Sequence, residues 1–103
     1  MVNEVRPGQL VSSTQGRDEG RYYLVLSKTD DGYVLVTDGE YRGVENLKKK
    51  NPKHIKIWPQ TSERLAASLA DQVKVTNTEI LSELAMMIKA IQEVPLLKGK
   101  EVG

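Results

Sequence analysis

Cysteine is absent from this 103-residue chain, which excludes a disulfide framework and any zinc-finger arrangement. Phenylalanine is also absent and there is one tryptophan, Trp58, so the core must be built from Val, Leu, Ile, Tyr and Met. The single histidine, His54, rules against a histidine metal cage or a histidine-based triad within one chain, and no metal or other cofactor is expected. No apolar run approaches the ~20 residues of a membrane span, and the N-terminal segment lacks the apolar stretch of a signal peptide. The expectation is a soluble, cytoplasmic protein with no membrane partner. The length fits one domain, or one small domain with an appendage.

What the sequence does have is a segregated charge. The net charge is only +1, yet residues 1–41 carry −3, residues 42–60 carry +5 and residues 61–103 carry −1. Arg42, Lys48, Lys49, Lys50, Lys53 and Lys56 stand against Glu45 alone in the middle segment. A short segment holding nearly all the positive excess suits local contact with a polyanion better than general coating of one.

Turn signals punctuate the first sixty residues. Pro7-Gly8 precedes an apolar-rich run at 9–12, and a polar loop from Ser13 to Gly20 follows it, with Gly16 and Gly20 inside. Tyr22–Leu26 and Tyr33–Thr37 read as strands separated by the reversal Asp30-Asp31-Gly32. Asp38-Gly39 marks another turn, a short strand is expected around Tyr41–Val44, and a fifth at Ile55–Trp58. Recurrent turns at about eight-residue spacing suggest a small barrel or strongly curled sheet.

The pattern changes after Pro59. Thr61-Ser62 can cap a short helix through Leu65, Ala66, Leu69 and Ala70. Thr76-Asn77-Thr78-Glu79 is a capping box, and Ile80, Leu84, Met87, Ile88 and Ile91 then recur at helical steps. Pro95 is expected to end this helix. The fold class expected is mainly β with C-terminal helices (α+β). The chain divides into a barrel over 1–60, a helical extension over 61–95 packed on it, and a flexible tail over 96–103.

The stretch Gly16-Arg17-Asp18-Glu19-Gly20-Arg21-Tyr22 carries the most information. Its glycines permit a sharp reversal, and guanidinium groups such as those of Arg17 and Arg21 can meet two phosphate oxygens at once. On spacing alone, the same arginines could instead pair with Asp18, Glu19 or Asp30 on a solvated surface. Residues 8–34 resemble a KOW motif, a strand–glycine loop–strand unit, with Gly20 at its central glycine. The continuation through VLVTDGEYRGVENLKKKNPKHIKI resembles the ribosomal protein L14e group, and more closely the short KOW proteins of Gram-positive bacteria. The resemblance covers about residues 5–58. It implies an SH3-like barrel of about five strands and contact with ribosomal RNA.

On this reading the RNA-contacting residues are Arg17, Arg21, Arg42, Lys48, Lys49, Lys50, Lys53, His54 and Lys56, with Gly16 and Gly20 shaping the loop. The arginines would clamp phosphates, and the lysine run, kept irregular by Pro52, would spread along the backbone. Most of the aromatics are expected in the core. Tyr22 and Tyr23 face opposite ways in a strand, and an exposed tyrosine near arginines could stack on an unpaired base. Ribosomal proteins are further candidate partners, and a monomer is expected. No P-loop, nucleophile elbow or metal-ligand spacing occurs, and the acidic residues sit in turns, so no enzyme is expected. The competing reading is a protein-interaction module of the transcription or translation machinery that uses a barrel edge and the helix bearing Met86 and Met87.

Overall fold

In a computed structural model the backbone is described for residues 5–102 and the side chains for residues 5–92. Five strands come first: β1 (Gln9–Ser13), β2 (Tyr22–Lys28), β3 (Val34–Thr37), β4 (Lys48–Lys50) and β5 (Ile55–Thr61). A single 3-10 turn, Pro52–His54, joins β4 to β5. Two helices follow, α1 (Glu63–Ala70) and α2 (Asn77–Val102). No described helix is long and apolar enough to cross a membrane.

The strands form one antiparallel sheet in the order β4-β3-β2-β1-β5. Strands β4 and β5 lie at opposite edges, yet only the four residues 51–54 connect them, a reach of roughly 14 Å at full extension. The sheet must therefore roll. Register shifts between Gln9 and Val11 in β1 and between Val25 and Ser27 in β2 supply the bends that a rolled sheet needs. The expected barrel is not closed, however: no hydrogen-bonded ladder joins β4 to β5 among the described residues. A three-residue β4 that gives way at once to the Pro52 turn leaves too little backbone to complete the seam.

Strand alternation sorts the apolar residues into two cores. Val11, Tyr23, Val25, Val34, Val36 and Ile55 point into the roll with Val5. Leu10 and Leu24 point the other way and meet Leu65 of α1 and Ile80, Leu84 and Met87 of α2. Strand β2 thus has a core on each side, with Tyr23 fully enclosed and Tyr22 packed half-buried under the helices. Each fully buried Leu or Ile contributes about 1.5–3 kcal/mol of hydrophobic stabilisation. The helical layer is therefore an integral cover for the sheet. Trp58 lies at the joint between the layers, as its position suggests: it packs against the helical cluster and Tyr22, and its indole N–H donates to Ser12 Oγ at 3.0 Å.

Local signals at the helix starts hold. Ser62 Oγ accepts the Leu65 N–H at 3.1 Å, and Thr76 and Glu79 exchange the two bonds of a capping box. Gly8 has φ +88°, and a Cβ there would stand 2.6 Å from the Ser62 carbonyl oxygen, so only glycine allows β1 to dock so closely on the α1 cap.

Three expectations are corrected. Tyr41–Val44 forms no strand; residues 38–46 make a braced loop. The lysine run is regular structure, because Lys48–Lys50 lies before Pro52 and pairs with Val34–Val36. Pro95 does not end α2, which continues to Val102. A proline inside a helix loses one backbone hydrogen bond and crowds the carbonyl four residues earlier, a cost of ~3 kcal/mol that a helix can bear with a kink. The segment assigned to a tail thus has helical backbone up to residue 102, and Gly103 lies outside the described residues.

Candidate functional site

The 14–21 loop reverses as its glycines suggest. Gly16 and Gly20 have φ of +93° and +88°, a region that a Cβ disfavours. Backbone bonds from Gly20 N–H to Ser13 O at 2.8 Å and from Arg21 N–H to Asp18 O at 2.9 Å close the reversal. The loop's carboxylate, Asp18, folds back over the mouth of the roll and becomes the centre of a polar cluster. Asp18 Oδ1 accepts from Ser13 Oγ at 2.8 Å and lies 3.4 Å from Lys50 Nζ. Asp18 Oδ2 accepts from the Tyr23 hydroxyl at 2.7 Å and lies 3.6 Å from Lys48 Nζ. The ammonium of Lys50 also donates to Ser13 Oγ at 3.0 Å.

The cluster is largely closed to water, with the side chains of Lys50 and Asp18 only 9% and 12% exposed. Burial pushes the Asp18 carboxyl upward, but hydrogen bonds from Tyr23 and Ser13 and the charges of Lys50 and Lys48 outweigh it. The carboxyl is held well below the usual carboxylate range. Burial and the bond to Asp18 together push the Tyr23 hydroxyl well above the usual phenol range. Two lysines and one carboxylate, with Lys48 the most exposed of the three, tie the 14–21 loop to β4.

This arrangement divides the residues expected at one RNA-binding surface. Lys48 and Lys50, two apart on β4, share its inward face, and Lys50 is withdrawn from any external surface. Lys49 faces outward, over the Tyr33 ring at 4.6 Å and 3.5 Å from Asp31. That pair is exposed on both sides and contributes little to stability. The Asp31 carboxyl is lowered chiefly by its hydrogen bond from Thr29, with Lys49 adding to the effect.

The remaining cations fall in two places: Arg42 and the Arg21 side chain belong with the loop around Asp38, and Arg17, Lys53, His54 and Lys56 lie on segments joined by β1 and β5. The Thr14 N–H donates to the His54 carbonyl at 2.9 Å, and Ser13 pairs with Ile55 across β1 and β5. These bonds bring the Arg17 loop beside Lys53 and His54, although thirty-five and more residues separate them in sequence. Arg17 and Lys53 are exposed and His54 is half-buried. Lys56 is exposed and stands over the Trp58 ring at 4.1 Å. Among the described residues Arg17, Arg42, Lys53, His54 and Lys56 form no ion pair. Arg21 pairs with Asp38 at 3.9 Å, a carboxylate outside the set that spacing alone proposed.

Sequence reasoning missed Asp18, which was counted among turn-forming acids. Its signal was available in the Lys48-x-Lys50 alternation, which in a strand places two ammonium groups on one face and calls for a buried anion opposite. Tyr41, grouped with the core aromatics, is instead 70% exposed because the strand expected to carry it is a loop. Met87 is buried, whereas Met86 is exposed.

No protein-family model matches the sequence, and no curated protein matches it. Among the described residues no group of His, Cys, Asp and Glu side chains could hold a metal ion.

Proposed function

We propose that this protein binds structured RNA through the rim formed by the Arg17 loop and the 53–56 segment. The observation that carries this reading is that the Thr14–His54 bond and the β1–β5 pairing lay the base of the Arg17 loop alongside the 53–56 segment, while Arg17, Lys53, His54 and Lys56 form no ion pair among the described residues. Unpaired cations on a fixed backbone release condensed counterions when they meet phosphate, and a rigid rim reads the spacing of a folded RNA rather than a base sequence. The resemblance of residues 5–58 to the KOW pattern of the L14e group supports the same reading and points to ribosomal RNA as the ligand. In this account Lys48 and Lys50 act indirectly, by anchoring the loop that presents Arg17.

The test is binding of the purified protein to a fluorescent ribosomal RNA stem-loop across a salt series. RNA binding is expected to weaken steeply with salt, with a log–log slope of about −0.7 to −0.9 for each phosphate neutralised. An Arg17→Ala/Lys53→Ala variant should have a shallower slope by about one to two. Salt-independent binding, or none, would overturn the reading and favour a protein partner.

A further inference from the structure

Tyr41 is the most exposed large hydrophobic side chain among the described residues, yet it stands on a loop braced by many hydrogen bonds. Asp38 Oδ1 accepts the N–H groups of Glu40 and Arg42 at 2.9 and 2.8 Å. Thr37 Oγ1 accepts the Gly39 N–H at 3.1 Å and donates to the Arg42 carbonyl at 2.5 Å. The Arg42 carbonyl also receives the Asp38 and Gly39 N–H groups. Beyond the turn, Asn77 Oδ1 at the start of α2 accepts the Val44 N–H at 2.7 Å. Gly39 lets the loop lie against α2, since a Cβ there would meet Ile80 at 3.1 Å.

The ring is also partnered. The Arg21 guanidinium lies 4.5 Å over the centre of Tyr41, and Asp38, the residue that braces the loop, holds Arg21 at 3.9 Å. An aromatic ring that is both solvent-facing and pre-oriented loses little freedom on binding a flat ligand. A guanidinium beside it offers a second planar surface and a charge for the adjoining phosphate. Arg21 closes the base of the Arg17 loop through its N–H to Asp18 O, so the platform continues the proposed cationic rim.

We propose that Tyr41 and Arg21 form a stacking platform for one unpaired nucleobase of the bound RNA. This rests on the RNA-binding reading and adds to it a contact with a looped or bulged base beside the phosphate-binding rim. Every base has a π-face, so the platform discriminates unpaired from paired nucleotides and tolerates any base identity.

Two RNA hairpins test this, identical except that one carries a single bulged 2-aminopurine. Tyr41→Ala should weaken binding of the bulged hairpin about ten-fold and leave the unbulged one unchanged. Tyr41→Phe should keep the parent affinity, and the salt slope should be the same in all three proteins because no charge changes. The 2-aminopurine emission should be quenched on binding the parent and recover with Tyr41→Ala. If the parent binds both hairpins with a steep salt slope but Tyr41→Ala matches it on the bulged one, the platform is wrong and the RNA reading stands. If the parent binds neither, both fail.

Discussion

The basic segment contains two kinds of lysine. Lys48 and Lys50 point into the mouth of the rolled sheet and share the Asp18 carboxylate, whereas Lys53 and Lys56 are exposed and form no ion pair among the described residues. All four lie within residues 48–56, and the sequence writes them in one run. Local backbone makes the difference: on β4 every second side chain faces the interior, the Pro52 turn carries Lys53 outside the sheet, and on β5 the alternation puts Lys56 on the side opposite the buried Ile55. A run of charge therefore indicates an interface only after the local backbone has sorted its members. Buried lysines position a loop; exposed ones are available to a ligand.

The comparison breaks most readily at Asp18. Asp18→Ala would leave Lys50 buried without its counter-charge and remove the acceptor of the Tyr23 hydroxyl, at an expected cost of about 3 kcal/mol or more. Urea unfolding measures this. The same carboxylate sets an acid limit. Its pKa in the folded protein is depressed, so its contribution is present above the unfolded value near ~4 and is lost as pH falls below it. Asp18→Asn should therefore lose stability less steeply than the parent between about pH 4 and pH 2.

Tyr23→Phe should cost less, about 1–1.5 kcal/mol, because it removes one hydrogen bond and keeps the ring in the core. Here the sign reverses. The folded-state pKa of Tyr23 is raised, so its contribution is present below the unfolded value near ~10 and is lost as pH rises through the higher folded value. The phenylalanine variant should show a flatter alkaline decline in an unfolding series above about pH 10. Lys49→Ala, which breaks the exposed contacts with Asp31 and the Tyr33 ring, should leave the urea midpoint close to that of the parent. Arg17→Ala and Lys53→Ala should fall within about 0.5 kcal/mol of the parent.

Much of the fold was legible in the sequence because local rules carried it. The Asp-Gly and Pro-Gly punctuation located β1, β2 and β3, and the Ser62 cap and Thr76 box located the helix starts. Apart from the continuation of α2 past Pro95, the failures were decided by tertiary context. A three-lysine strand has no apolar alternation to announce it, and its pairing with Val34–Val36 overrides weak β-propensity. The loop 38–46 has strand-like residues but is held by side-chain bonds from Thr37, Asp38 and Asn77. The placing of the 14–21 loop alongside the 53–54 turn depends on β1–β5 pairing, a contact between distant segments that spacing along the chain does not encode.

The most direct test of the central claim compares salt slopes for RNA binding with unfolding midpoints in one variant, Arg17→Ala/Lys53→Ala/Lys56→Ala. The account requires a shallower slope, by about two to three, with an unfolding midpoint close to that of the parent. An unchanged slope in a folded variant would show that these exposed cations do not meet phosphate, and would contradict the division between a structural and a ligand-facing set of lysines.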